Sequence, residues 1–138
     1  MKTISDYTID DSFEYSFPIT EELHRSFIQT SGDDSSIHTD LDFCKKNGYD
    51  RLVGHAFLIT ALLSQIYGKR FPGGNELCVS QTTNFRKPFF VNDTLKFVVK
   101  ISGINKSLEL LNTKVTVFNQ DAIKVFSGDG ILKLSLRY

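Results

Sequence analysis

The feature that most constrains the fold is a nearly continuous apolar segment at residues 54–68 of the 138-residue chain. Its sequence, GHAFLITALLSQIYG, has a glycine at each end and few polar residues between them. A helix at the surface of a globular protein carries its apolar residues along one stripe, whereas this segment is apolar almost all round. The sequence therefore predicts a helix that the rest of the chain buries on most of its sides.

The segments that follow predict a sheet able to cover this helix. After the turn signal FPGGN, the chain is rich in Thr, Val, Phe, Ile and Leu, and the turn sequences NDT, GINK and NQD divide it. The predicted strands are residues 76–88, 94–104, 107–120 and 122–138. A sheet and an apolar helix each need a partner for their apolar face, and here each can cover the other.

One more strand is predicted near the amino terminus. Phe13, Tyr15 and Phe17 alternate with polar residues, the pattern of a half-buried strand, and Pro18 ends it. We therefore expect a single α+β domain over residues 1–138, with a long buried helix wrapped by a curved antiparallel sheet of about five strands.

Two shorter helices are predicted between that strand and the long helix. Thr20 is placed to cap the first, Gly32 ends it, and His24 is expected to face solvent. The second runs from Asp40 to Gly48, within a polar region that is the least core-like part of the chain.

Composition and charge argue against several kinds of partner. The 16 basic residues balance the 16 acidic ones, so no overall field attracts nucleic acid or an anionic membrane. No stretch approaches the roughly 18 apolar residues typical of a membrane span, and no apolar export segment is present. Cys44 and Cys78 lack metal-binding spacing and are expected to be free thiols. We expect a cytoplasmic protein with no nucleic-acid or membrane partner.

The polar stretch SGDDSSIHTD, at residues 31–40, holds the most suggestive pair of side chains. Asp33 and His38 precede the apolar helix, and a carboxylate and an imidazole held near one water can orient it and share its protons. On spacing alone, an Asp and a His in a turn-rich loop are more often capping or surface groups. The other carboxylates suggest a metal loop, but the alternate ligands and distal Glu of a calcium loop are absent, so we expect no metal.

Four later stretches of the chain carry further motifs. They are LVGHAFLITALLS, GKRFPG, QTTNFRKPFFVNDTL and NQDAIKVFSGDGIL. Together these motifs resemble those of the MaoC-like, (R)-specific enoyl-CoA hydratases, a family of hot-dog fold with the signature SGDxNPxHxD. The resemblance extends from about residue 27 to residue 135.

The resemblance implies an activity and a place for each group. Asp33 and His38 would activate one water, which adds to C3 of a trans-2-enoyl thioester while C2 receives a proton. The reverse reaction removes water from an (R)-3-hydroxyacyl thioester. The backbone N–H of Ala56, at the start of the long helix, would bind the thioester oxygen as enolate charge develops. No cofactor is implied, because the substrate is carried as a coenzyme A or acyl-carrier-protein thioester.

Lesser roles follow from the same resemblance. Phe57, with Tyr49 and Phe43, is expected to line the acyl pocket. Ser64 and His55 fall at the places of a family serine and a structural histidine, and both are expected to support the catalytic pair. Positive side chains that could contact the phosphate-bearing arm of a carrier are Arg51, Lys69, Arg70, Arg86 and Lys87.

Two departures from the family pattern bear on activity. Ser35 and Ser36 replace the usual Asn-Pro, which removes a proline's fixed φ from the loop. Ala56 replaces the usual glycine. Since this residue should lie at a helix start with ordinary φ, we expect its N–H to remain a donor.

Three functions remain open from the sequence. The first is a hydratase or dehydratase. The second is a hot-dog thioesterase, which would share the fold and the N–H donor to the thioester oxygen. The third is a non-catalytic acyl-thioester binding module, which would fit the two departures.

A sheet of about five strands leaves edges exposed, and the resemblance implies a homodimer, with an acyl carrier protein as a possible further partner.

Overall fold

The computed structural model describes residues 2–74 and 76–134, and the structural statements below concern those ranges. A short 3-10 turn at Ile4–Asp6 precedes the first strand. The helices are α1 (Glu21–Ser31), α2 (Ser36–Thr39), α3 (Leu41–Lys46) and α4 (Ala56–Lys69). The strands are β1 (Ser12–Pro18), β2 (Leu77–Gln81), β3 (Asn84–Phe85), β4 (Thr94–Asn105), β5 (Leu110–Phe118) and β6 (Lys124–Lys133).

The described strands form one antiparallel sheet in the order β1-β4-β5-β6-β2, with β3 paired to β6. This confirms the predicted α+β architecture. The predicted strand at 76–88 is divided into β2 and β3, which both pair with β6. The last predicted strand was to reach residue 138, but β6 ends at Lys133, and residues 135–138 lie outside the described part.

The core forms where α4 packs against the sheet. α4 contributes Leu58, Ile59, Leu62, Leu63 and Ile66, all buried in one cluster with residues of the sheet. Alternate residues of β4 face the same cluster, as the period of a strand requires: Leu95, Phe97, Val99 and Ile101. The predicted long helix thus meets the predicted sheet, and the two bury each other's apolar faces.

One side of α4 stays uncovered by the described residues. Phe57 is 65% exposed, and Ala61 and Ser64 are exposed on the same helix. The prediction of burial on most sides therefore holds for the face toward the sheet but not for the opposite one, because a single open sheet covers a helix from one side only. No helix in the described ranges is long and apolar enough to cross a bilayer.

The helix ends agree with the sequence prediction, but the orientation of α1 does not. The Thr20 hydroxyl accepts the Leu23 N–H at 3.1 Å, and Gly32 ends α1 with a φ of 73°. His24 was expected in solvent, yet it is only 3% exposed. α1 turns this side chain toward two other histidines, with which it makes ring contacts and a hydrogen bond described below.

Gly54 provides a test of the packing that places the start of α4. A Cβ at this position would overlap the ring of Phe89, which is buried and cannot swing away. We expect Gly54→Ala to lower the free energy of unfolding by about 1–3 kcal/mol, the usual cost of overpacking. Gly68→Ala is the matched control, since nothing lies within 4 Å of a Cβ there and alanine favours a helix. Urea denaturation of both variants measures the difference, and equal stability would contradict this packing.

Candidate active site

A cavity of about 670 Å³ opens beside the amino end of α4. We call it the main cavity. Its lining comes from the end of α1, the polar loop after it, the first turn of α4 and the segment around β3: Phe27, Ser31, Asp33, His38, Val53–Phe57, Ile59, Phe85–Phe89 and Val125. Residues far apart in sequence thus converge on one largely apolar space with a few polar groups, the usual form of a small-molecule site.

Asp33 and His38, the two residues singled out in the sequence, face each other in the main cavity. Asp33 Oδ2 lies 3.5 Å from His38 Nε2. On the other side of the ring, His38 Nδ1 lies 2.7 Å from the Val53 carbonyl oxygen. A carbonyl only accepts, so Nδ1 carries the proton, and in the neutral ring Nε2 presents a lone pair toward Asp33. Two acceptors thus face one point, where a water could donate a hydrogen to each.

The loop between these residues holds the Asp33 carboxylate in place. The Ser35 hydroxyl donates to Asp33 Oδ1 at 2.7 Å, and the Ser35 N–H lies 3.3 Å from the same oxygen. These bonds, the hydroxyl first, lower the pKa of Asp33 and favour its ionised form. The sequence predicts a looser loop because proline is missing. The structure shows that Ser35 supplies a local anchor and leaves Oδ2 directed at the histidines.

His55 lies directly behind the pair. Its Nε2–H donates to the Asp33 carbonyl oxygen at 2.9 Å, and its ring stacks on that of His38 with centroids 3.7 Å apart. Burial, with smaller effects from the neighbouring histidines, lowers the pKa of His55, so the ring is neutral near pH 7. His55 therefore fixes the backbone of Asp33 without adding a positive charge beside His38.

The same three residues raise the question of a metal. Ligand atoms of Asp33, His38 and His55 lie within 4.8 Å of one another. However, the His55 Nε2 that would have to bind the metal already carries the proton shared with the Asp33 carbonyl. Its Nδ1 is buried and has no partner among the described residues, so moving the proton there would leave it unsatisfied. The hydrogen bond from His55 to the Asp33 carbonyl oxygen therefore competes with binding of a metal by these three residues.

Ala56 is the first helical residue of α4 and lines the main cavity. Its backbone is not among the described residues with positive φ, so the alanine fits where a glycine is usual. Within the described part of the chain its N–H has no acceptor, as expected for the first turn of a helix. The free N–H and the positive end of the helix dipole make this point suitable for a developing negative charge.

The other predicted site residues divide between this cavity and other places. Phe57 lines the main cavity. Ser64 lines a separate cavity of about 410 Å³. Tyr49 packs against Phe90, with ring centroids 5.9 Å apart, and the half-exposed Phe43 lies on α3. Neither of these two aromatic rings lines the main cavity, so the structure does not bring Tyr49, Phe43 or Ser64 to Asp33 and His38.

The positive side chains divide in a similar way. Arg86 and Lys87 line the main cavity. Arg51 instead makes a 2.8 Å ion pair with buried Asp93. Arg70 stacks over the ring of Tyr15, 3.6 Å from its centroid. Of the five candidates for contact with a carrier, Arg86 and Lys87 are thus the two that lie beside the main cavity.

Comparison with known proteins identifies the family. The model of the MaoC-like domain matches residues 7–122. The chain belongs to the MaoC-like family. Among similar proteins, the (R)-specific enoyl-CoA hydratase of Aeromonas caviae is 24% identical to this MaoC-like chain over 109 residues, which cover 79% of the chain and 81% of the relative.

Two further comparisons support this assignment. The mitochondrial 3-hydroxyacyl-[acyl-carrier-protein] dehydratase of Arabidopsis thaliana is 27% identical over 104 residues, 75% of this MaoC-like chain and 58% of that protein. The solved (R)-hydratase of A. caviae, described as involved in PHA biosynthesis, superposes with a TM-score of 0.89 at 21% identity, covering 94% of this chain and 98% of that one. The structural likeness shows that the fold is the hot-dog fold, as predicted.

The anchor on Asp33 can be tested in the ligand-free MaoC-like protein. Ser35→Ala removes the hydroxyl that donates to the carboxylate and should raise the pKa of Asp33, since these bonds favour the ionised form. A carbon-13 NMR titration of the Asp33 carboxyl carbon measures the change. Ser36→Ala is the matched control, because no described side-chain bond joins Ser36 to Asp33. An unchanged titration of Asp33 in Ser35→Ala would refute the role assigned to Ser35.

Proposed function

We propose that the chain adds water to a trans-2-enoyl thioester and, in reverse, removes it from an (R)-3-hydroxyacyl thioester. The observation that carries this proposal is the meeting of Asp33 Oδ2, His38 Nε2 and the amino end of α4 in the main cavity. The named relatives are a hydratase and a dehydratase of this reaction type, which supports a hydro-lyase activity here.

The geometry suggests how the water would be activated. A water between Asp33 Oδ2 and His38 Nε2 donates one hydrogen to each acceptor and keeps its lone pairs free for the substrate. As its oxygen bonds to C3, one proton passes to His38 Nε2, and the resulting imidazolium is stabilised by the Asp33 carboxylate. A proton then goes from the pair to C2, so both side chains return to their starting states. A positioned base of this kind typically contributes about 10²–10⁴-fold in rate.

The thioester oxygen gains negative charge while C2 is an enolate carbon. In the proposed complex this oxygen accepts the Ala56 N–H at the start of α4. The N–H is already oriented by the helix, so it need not reorganise as charge develops. The buried ring of Phe89 and the apolar side chains near it would limit contact with water there and strengthen this interaction. The reaction needs no cofactor, since each step uses a proton, a water or a backbone donor.

The carrier of the acyl group would reach the cavity from the side of Arg86 and Lys87. Both side chains line the main cavity and can pair with the phosphate of a coenzyme A or carrier-protein arm. One relative is named for a coenzyme A substrate and the other for an acyl-carrier-protein substrate, so either carrier fits the proposal. The protein would then act in the cytoplasm on carriers dissolved there.

A homodimer would cover the surfaces that a single chain leaves open. β2 stands at the end of the strand order, and Cys78, Val79 and Ser80 on it are exposed. The exposed side of α4 presents Phe57 and Ala61. Proteins usually pair or cover an apolar edge of this kind. We expect two sheets to join there, and a monomeric mass in solution would count against this assembly.

Activity assays on variants test the proposed function. We expect the protein to hydrate short trans-2-enoyl thioesters to the (R)-3-hydroxy product, seen as loss of enoyl absorbance and checked by chiral analysis. Asp33→Asn and His38→Ala should each lower kcat/KM by about 10²–10⁴-fold, because each removes one of the two groups that hold the water.

The controls separate hydration from other activities of the fold. Asp34→Asn is the matched control, since this neighbouring exposed carboxylate does not line the main cavity, and it should keep full activity. Free thiol is measured in the same reactions. Thiol release without loss of the enoyl group would replace the hydratase proposal with a thioesterase, and tight binding without turnover would leave a binding module.

A further inference from the structure

A third histidine lies behind the proposed site and has no role in the mechanism above. His24, on α1, is buried, and its ring centroid lies 5.1 Å from that of His55 and 6.4 Å from that of His38. We call these three residues the imidazole cluster. His24 does not line the main cavity, so it cannot touch a substrate there. Any effect it has on the reaction must pass through another residue.

The contact that could transmit such an effect is a hydrogen bond to the backbone of His38. His24 Nε2 lies 2.8 Å from the His38 carbonyl oxygen. A carbonyl cannot donate, so His24 carries its proton on Nε2 and donates it. Its Nδ1 is buried and has no partner among the described residues. The buried ring of His24 thus makes one hydrogen bond among the described residues, to the carbonyl oxygen of His38.

The segment that receives this bond has little stability of its own. α2 has only four residues, far fewer than an isolated helix needs. His38 lies in its last turn, where carbonyl groups lack partners within the helix. From outside α2, its backbone is held by His24 through the carbonyl of His38, and by the Val53 N–H and the Cys44 thiol through the carbonyl of Ile37.

His38 is therefore held by hydrogen bonds at its ring and at its main chain, and its ring also stacks on that of His55. Val53 accepts from the ring at Nδ1, and His24 donates to the main-chain carbonyl. Together these bonds determine the direction of Nε2 toward Asp33. If the carbonyl were released, α2 could rotate and the ring could lose the Val53 acceptor. The proton would then be free to move to Nε2, which would remove the lone pair that the water needs.

We propose that His24 is a positioning residue, which holds α2 so that His38 keeps its Nδ1–H tautomer and its Nε2 lone pair faces Asp33. The consequence for the reaction rests on the hydratase function proposed above. The consequence for the His38 ring does not, because it concerns the ligand-free protein. If His38 is no longer held in position, kcat should fall while KM changes little, since His24 does not line the cavity that binds the substrate.

Two substitutions at His24 separate the hydrogen bond from packing. His24→Leu fills the space but has no donor, whereas His24→Gln keeps an N–H that can reach the His38 carbonyl. Gln29→Leu, on the exposed side of α1, is the control for the same kind of polar-to-apolar change outside the imidazole cluster. Circular dichroism and thermal unfolding establish that each variant is folded before it is compared.

The first readout is the ring nitrogen-15 NMR spectrum of His38 without ligand. Wild type, Gln29→Leu and His24→Gln should show the Nδ1–H tautomer, and His24→Leu should show a mixture of both tautomers. The second readout is steady-state hydration, in which His24→Leu should lower kcat about tenfold with KM changed less than about twofold, while His24→Gln retains most of the rate.

The outcomes divide clearly. If His24→Leu leaves both the His38 tautomer and kcat unchanged, or if Leu and Gln reduce kcat equally with the tautomer intact, the positioning role is refuted. If His24→Leu is unfolded, the test rests on His24→Gln. Loss of the Nδ1–H tautomer of His38 in that folded variant also refutes the positioning role. If wild type shows no hydration but the tautomer changes as described, the positioning role stands and only the proposed function fails.

Discussion

The packing of α4 on the sheet is the interaction on which the rest of the structure depends. Five large apolar side chains of this helix are buried among strand residues, and burial of each such side chain contributes about 1.5–3 kcal/mol. This packing also fixes where the helix begins. Gly54 lets the chain pass against Phe89, and Ala56 starts the helix at the wall of the main cavity. The stability of the core and the position of the free N–H therefore have the same origin.

The polar half of the site follows a different rule, since each buried nitrogen proton is directed at a carbonyl. His38 donates to Val53, His55 to Asp33 and His24 to His38. These three bonds determine which nitrogen of each ring carries the proton in the neutral state. In the main cavity, the His38 lone pair lies beside the Asp33 carboxylate, whose ionised form the bonds from Ser35 favour. Local backbone geometry thus decides the chemistry of the ring.

Periodicity and motifs predict the helices and strands well, but they do not predict contacts between residues that are distant in sequence. The apolar run, the alternating strands, Thr20 and Gly32 all indicate what the structure contains. The placement of Tyr49 against Phe90 and the burial of His24 beside two other histidines depend on contacts between residues distant in sequence, which no local pattern encodes. The three- and four-residue spacing of His24 to the apolar Phe27 and Ile28 was the one available signal that it faces inward.

A double-mutant cycle can show whether Asp33 and His38 act on a single water, as the proposed mechanism requires. Asp33→Asn, His38→Ala and the double variant are compared by kcat/KM for enoyl thioester hydration. If one water needs both groups, the double variant should be about as slow as the slower single variant, since the first loss already abolishes the shared function. If the losses multiply in the double variant, the two residues act independently and the single-water mechanism is wrong.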